Sequence, residues 1–200
     1  PEIFTYTPTG RRLTMTDASG VTNYAYDVRD RLQTKATPQG TLTYTYDKNN
    51  NVSSVVSSNA NGTNVAYNWD AVNRLSQVTD NRAGAAGVTS YQYDATDRLT
   101  HMDSGNGVRH AFTYNGRDWN SDVLVNNGAV TLANYGHTFN GTGRRMAVTE
   151  FTGRRVEYTY DFIHRLVTES TTADPVAGNN GALTYSLDAV GNRNALTSTL

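Results

Sequence analysis

Six aspartates recur at matching places along the chain, Asp27, Asp47, Asp70, Asp94, Asp161 and Asp188, and each is followed four residues later by Arg or Asn (Arg31, Asn51, Arg74, Arg98, Arg165, Asn192). Two chemistries are open to such a series. A ladder of carboxylates could bind calcium, a hard cation that gathers several oxygen ligands. A single carboxylate could instead accept backbone N–H groups where the chain reverses. The glycine-rich nonapeptide of calcium-binding β-rolls is absent. Each Asp stands directly after an aromatic segment, where a turn begins, so turn capping is the preferred reading. The Arg or Asn is then its partner across the turn.

Other reactive residue types are scattered. His101, His110, His137 and His164 have no metal-ligand spacing. His164 occupies the place that Asn73 holds in a related segment, which predicts a turn residue. There is no G-x-S-x-G elbow and no phosphate loop. The pairs Arg11-Arg12, Arg144-Arg145 and Arg154-Arg155 could line up as a basic track for nucleic acid or glycosaminoglycan. A formal charge of -1 supplies no net field to gather a polyanion. They are therefore read as a solvated strand edge, and no nucleic-acid partner is expected. These residues define no catalytic site, no cofactor site and no metal site, and the chain is expected not to be an enzyme.

What positions the aspartates is an internal repeat, the feature to seek first in any chain. The unit reads aromatic, any residue, aromatic, Asp or Asn, three residues, Arg or Asn, and usually an aliphatic residue. Clear copies are Tyr24-Ala25-Tyr26-Asp27 with Arg31, Tyr44-Thr45-Tyr46-Asp47 with Asn51, and Tyr67-Asn68-Trp69-Asp70 with Arg74. Further copies are Tyr91-Gln92-Tyr93-Asp94 with Arg98, Tyr158-Thr159-Tyr160-Asp161 with Arg165, and Tyr185-Ser186-Leu187-Asp188 with Asn192. Weaker ones are Phe4-Thr5-Tyr6, Phe112-Thr113-Tyr114 and His137-Thr138-Phe139, the first and last leading into Gly10-Arg11-Arg12-Leu13 and Gly143-Arg144-Arg145-Met146. The second aromatic falls at 6, 26, 46, 69, 93, 114, 139, 160 and 187, so nine copies are counted, 20 to 27 residues apart.

Within a unit polarity alternates with period two. In Thr41-Leu42-Thr43-Tyr44-Thr45-Tyr46 the large residues share one face and the threonines the other, which is a strand pattern. Leu32 to Ala36 alternates likewise, and Thr37-Pro38-Gln39-Gly40 between them reads as a hairpin turn. Asp47 to Asn51 reads as the next reversal. Each unit is thus one β-hairpin, and successive hairpins are expected to continue one antiparallel sheet, with tyrosines of neighbouring units packing flank to flank in columns. An isolated hairpin is marginal in water, whereas stacked ones stabilise their neighbours. Composition agrees: 13 Tyr and 37% hydrophobic residues suit a sheet without a thick core. Cysteine is absent, which excludes disulfides and thiolate metal sites. No stretch is long enough to span a bilayer as a helix. The chain opens within Phe4-Thr5-Tyr6 and stops within Ala195 to Leu200, which predicts a piece of a longer array occupying residues 1–200 as a single domain.

This pattern, in phase over nearly the whole chain, resembles the tyrosine–aspartate (YD, or Rhs-type) repeats of bacterial Rhs proteins, toxin-complex C-subunits, wall-associated proteins and the extracellular part of teneurins. The resemblance implies a higher-order shape that spacing does not show, a β-solenoid or spiral shell in which long arrays wind their sheet. It also implies a large secreted or cell-surface protein whose partners are the remainder of its own polypeptide, namely further repeats and an enclosed C-terminal domain, typically a toxin. Shell-forming relatives cleave themselves at a D-P-x-G-L motif after the repeats. Asp174-Pro175-Val176-Ala177-Gly178 resembles a fragment of it, but the spacing differs and another repeat follows, so it is read as a loop and the self-cleaving aspartates are not carried over.

The leading expectation is therefore a non-catalytic wall segment. A carbohydrate- or surface-binding module is the alternative, although such modules rely on Trp clusters and only Trp69 and Trp119 are present. Self-association into fibres through unpaired sheet edges is a third.

Overall fold

The computed structural model describes residues 2–199. Eighteen strands belong to one antiparallel sheet, and two compact units can be distinguished. The first comprises residues up to Gln92 together with Asp103–Asn106. Its strands are β1 (Ile3–Tyr6), β2 (Arg12–Asp17), β3 (Gly20–Tyr26), β4 (Leu32–Thr37), β5 (Gly40–Tyr46), β6 (Val52–Ser57), β7 (Asn64–Trp69), β8 (Leu75–Asp80) and most of β9 (Val88–Tyr93). The second comprises Tyr93–Met102 and the residues from Gly107 on. It holds most of β10 (Leu99–Ser104), then β11 (Val108–Tyr114), β12 (Asn120–Asn127), β13 (Val130–Phe139), β14 (Arg145–Glu150), β15 (Arg155–Tyr160), β16 (Leu166–Thr172), β17 (Gly181–Leu187) and β18 (Arg193–Ser198). In each unit the chain neighbours in sequence are the neighbours in the ladder, as with β4 on β5 and β5 on β6, or β15 on β16 and β16 on β17. Two loops carry short 3-10 turns, Gly84–Gly87 and Ala177–Asn179. Among the described residues no helix is long and apolar enough to cross a membrane.

Two kinds of ladder alternate. At Pro38-Gln39 the hairpin β4–β5 pairs tightly, Thr37 with Gly40 through Thr34 with Thr43, and then stops, so that Leu32, Gln33 and Tyr44–Tyr46 lie outside it. The next pair, β5–β6, runs from Leu42 opposite Ser57 to Tyr46 opposite Val52 and contains a bulge, because Thr45 faces Ser54 and Ser53 is skipped. The same one-residue bulge recurs at the second aromatic in β1–β2, β3–β4, β7–β8, β11–β12, β13–β14 and β15–β16, and at Leu187 in the corresponding place of β17–β18. A bulge bends its strand and re-aims side chains. Here it falls at the same repeat position in each of these ladders.

Burial follows the alternation. Tyr24, Tyr26, Tyr44, Tyr46, Tyr67, Trp69, Tyr91, Tyr93, Phe112, Tyr114, Tyr158, Tyr160 and Tyr185 are all half-buried, while the residue between each pair of aromatics is exposed. That exposed column is hydroxyl- and amide-rich and cross-linked: Thr5 bonds Thr14, Thr45 bonds Ser54, Asn68 bonds Gln77 and Thr159 bonds Thr168, at 2.5–2.9 Å. Fully buried hydrophobic side chains are confined to Ala147 and Val156 among the described residues. No thick core forms, and stability rests on contacts between neighbouring strands.

Candidate functional site: the aspartate turns

At Asp47 the chain reverses in five residues. The Asp47 backbone N–H donates to the Asn51 carbonyl at 2.9 Å, and Asn50 N–H donates back to Asp47. One carboxylate oxygen, Oδ1, accepts the backbone N–H groups of Asn49 and Asn51 at 2.8 and 2.9 Å, and Oδ2 accepts Asn51 Nδ2 at 3.0 Å. Asp27, Asp70, Asp94, Asp161 and Asp188 repeat the arrangement. Their Oδ2 accepts Nε of Arg31, Arg74, Arg98 and Arg165 at 2.6–2.7 Å, and Asn192 Nδ2 at 3.0 Å. An Asp does this better than an Asn because its second oxygen also accepts a charge-assisted bond. Where Asn115 and Asn140 stand instead, the two backbone bonds persist through Oδ1.

These bonds stabilise the ionised form and hold the carboxylates below their ordinary range. For Asp27 and Asp188 the largest cause is the side-chain bond from Arg31 or Asn192, and for Asp70 the Arg74 backbone N–H. At Asp47, Asp94 and Asp161 desolvation opposes the shift and is outweighed by the same hydrogen bonds. At the opposite edge, Arg82 draws Asp80 down to about 2.

Three features went unread in the sequence. The first is the residue three beyond each Asp, which adopts the left-handed conformation: Asp30, Asn50, Asn73, Asp97, Asp118 and His164 have φ between 62° and 76°, and Gly10, Gly143 and Gly191 between 80° and 96°. Asn, Asp and Gly tolerate this region best. At Asp30, Asn50, Asn73 and Asp118 this residue is also the acceptor that joins one unit to the next. Arg11 Nε donates to Asp30 at 2.7 Å, Arg31 Nη1 to Asn50 at 2.9 Å and Asn51 Nδ2 to Asn73 at 2.7 Å, and Arg98 donates to Asp118. The fifth turn residue therefore makes two bonds, one within its own turn and one to its successor.

The second is a tether from the second aromatic to the preceding unit. Tyr26, Tyr46, Tyr114 and Tyr160 hydroxyls donate to the carbonyls of Arg12, Leu32, Leu99 and Arg145 at 2.8–2.9 Å, and Trp69 Nε1 donates to Val52 at 2.9 Å. The carbonyl lies where the tight ladder has ended, so a side chain supplies the missing donor. Phe139 has no donor, and His137 Nδ1 takes over, 3.1 Å from the Asn120 carbonyl.

In place of the expected columns of ring on ring, the structure interleaves rings with guanidinium groups. Arg31 lies 4.3 Å over the Tyr46 ring and Arg98 4.9 Å over Tyr114. Where Trp119 replaces the arginine, a direct ring pair forms with Phe139 at 5.5 Å. A Cβ on Gly143 would meet Trp119 at 3.0 Å, so that turn requires glycine.

The third is an extra turn at the other edge, Glu150 to Arg154, with the same backbone closure and an Arg154–Glu150 ion pair. Arg154 also holds Asp174 at 2.9 Å. The Asp174-Pro175-Val176 segment is a loop, with Asp174 Oδ1 accepting the Val176 N–H. Of the remaining paired arginines, Arg11 bonds Asp30, Arg144 bonds Thr142 and Arg155 bonds Glu157, while Arg145 is exposed. Arg12 lies over the Phe4 ring.

No curated protein matches the chain. Among solved structures, the TcdB2-TccC3 complex superposes with a TM-score of 0.61 at 16% identity, covering 99% of this chain and 13% of the other. TcdB2-TccC3-TEV gives 0.61 at 15% identity, with 99% and 12% covered, and a Photorhabdus luminescens Tc holotoxin pore gives 0.60 at 14%, also with 99% and 12%. At such identities the likeness is one of fold, and this chain spans about an eighth of those chains. The RHS Repeat family model matches residues 6–42, 26–63, 46–86 and 69–109, overlapping windows that together span more than half of the chain. A period of aromatic strand, capped turn and bulge, matched in four successive windows, means that the chain belongs to the RHS repeat family.

Proposed function

We propose that residues 1–200 are a single array of about nine repeats acting as a non-catalytic wall segment, a β scaffold that encloses or presents another domain of a larger secreted or cell-surface polypeptide. The observation that supports this most directly is the two-way turn residue. Arg31 closes its own turn on Asp27 and reaches Asn50 of the following turn. A molecule held by such neighbour bonds extends by adding units and needs no central core. The half-buried aromatic face and the hydrogen-bonded polar face suit a wall with two different sides. Likeness to the toxin-complex structures supports the same reading, with the remainder of the polypeptide as partner.

The test uses the parent polypeptide. Under limited proteolysis the domain next to the array should stay intact at protease concentrations that digest it once it is expressed alone. Equal digestion rates in the two contexts would refute the scaffold reading. As a non-enzyme, the chain should also retain its role when His101, His110 and His164, whose side chains the turns and tethers do not use for bonding, are replaced by Asn.

A further inference from the structure

Two clefts on the tyrosine-bearing face are built alike, one in each unit. The first, about 410 Å³, is lined by Tyr6, Gly10, Arg12, Tyr24, Tyr26 and Leu32. The second, about 360 Å³, is lined by Phe139, Gly143, Arg145, Tyr158, Tyr160 and Leu166, the same repeat positions except that Arg11 also lines the first. What sets them apart from sibling units is one exchange. Where the left-handed turn residue is Asp30, Asn50, Asn73, Asp97 or His164, the residue two further on is Leu32, Val52, Leu75, Leu99 or Leu166. Where it is Gly10, Gly143 or Gly191, the residue two further on is Arg12, Arg145 or Arg193. At this repeat position an arginine thus replaces the aliphatic residue only beside a turn residue that has no side chain.

Arg12 and Arg145 are exposed, and among the described residues neither has a carboxylate within ion-pair distance, unlike Arg11, Arg31, Arg74, Arg98, Arg154 and Arg165. The Arg12 guanidinium carbon lies 4.7 Å from the Phe4 ring centroid and 5.7 Å from that of Tyr24, and the group also hydrogen-bonds the Tyr24 side chain. A guanidinium carries five N–H donors in a planar fork, so one bond to Tyr24 leaves donors for an acceptor such as a carboxylate. We propose that these two clefts bind carboxylate side chains of a polypeptide, with Arg12 and Arg145 as the anion-recognising groups and the flanking tyrosines holding the apolar stem. A sugar ring would need a bare aromatic face, and in the first cleft Arg12 already covers Phe4 and Tyr24.

Isothermal titration of the 200-residue chain with an octaglutamate peptide at low ionic strength tests this, with octalysine and free glucuronate as separate arms. Two sites per chain are expected, weakening at high salt. Arg12→Leu and Arg145→Leu install the residue that sibling repeats carry, so folding should persist, as circular dichroism will show. Each should remove one site, and the double variant should lose at least tenfold in affinity. No octaglutamate binding, undiminished binding in the double variant, or glucuronate binding as tightly as the peptide would each overturn the assignment. The titration does not involve an enclosed domain, so its result and that of the proteolysis experiment are independent.

Discussion

Asp27 accepts two backbone N–H groups and a guanidinium, and each of these bonds exists only while the turn is closed. A group whose folded pKa lies below its ordinary value of 3.8 contributes stability above that value and loses it as pH falls through the folded pKa. Asp27, Asp47, Asp70, Asp94, Asp161 and Asp188 all shift downward, so their contributions should begin to decline together below about pH 4 and be lost as pH falls through the lowered folded values. Urea midpoints are expected to be level from pH 7 to pH 5 and to fall steeply from pH 4 to pH 2. A midpoint unchanged at pH 3 would show that the turns do not depend on ionised aspartates. Asn50 separates backbone strain from side-chain bonding, since it has φ of 73° and accepts Arg31. Asn50→Val forces a β-branched residue into the left-handed region and loses the acceptor, an expected cost of about 1–3 kcal/mol. Asn50→Gly loses the acceptor alone, and its urea midpoint should lie much closer to the parent. Equal midpoints for the two variants would mean that φ at this turn is irrelevant.

A strand pair here is defined by where its ladder stops. Beyond Thr34 opposite Thr43 the β4–β5 hairpin opens, and the Tyr46 hydroxyl bridges the gap to the Leu32 carbonyl. Tyr46→Phe keeps the ring under Arg31 and removes one hydrogen bond, so unfolding free energy should drop by about 0.5–1.5 kcal/mol in urea titrations. No loss would show that water satisfies the carbonyl equally well. Much of this was legible beforehand. Period-two alternation located the strands, because a half-buried sheet face imposes that period on the sequence. Asp27, Asp47 and their siblings were legible as turn caps because their position after the aromatics is fixed, and Arg31 or Asn51 as the partner because the interval is constant. The bulge was not, since the skipped residue is Ser53 in one unit and Gln33 in another and bears no common side chain. The role of Asp30 and Asn50 was hidden for a related reason: φ leaves only a preference for Asn, Asp or Gly, and His164 satisfies it as well. Arginine between the rings was missed because spacing reports which residues share a face and not what lies between them. The Glu150 turn was overlooked since it breaks phase, although Gly153-Arg154 echoes Gly10-Arg11.

An array whose bonds reach only to the next unit should tolerate loss of a whole unit and reject loss of half of one. Removing Asp27 to Tyr46 joins Tyr26 to Asp47, and the sequence then reads as an unbroken repeat, since the second aromatics at 6, 26 and 46 are 20 residues apart. Arg11, which donates to Asp30 in the intact chain, would meet Asn50 instead, an acceptor in the same left-handed position. The shortened chain should keep its β-type circular dichroism and unfold with a urea m-value reduced in rough proportion to its length. Removing Asp27 to Ala36 takes out one aspartate turn and one strand. In an antiparallel ladder the direction of every later strand is then reversed relative to the first three, which sends the following aspartate turns to the opposite edge. Arg11 would face a tight hairpin in place of an aspartate turn, and the Tyr46 hydroxyl would lose the Leu32 carbonyl. Aggregation or a collapsed melting transition is expected for this deletion alone. If both deletions fold equally well, the order of the sheet does not depend on bonds between successive turns, and the neighbour-bonded wall would have to be abandoned.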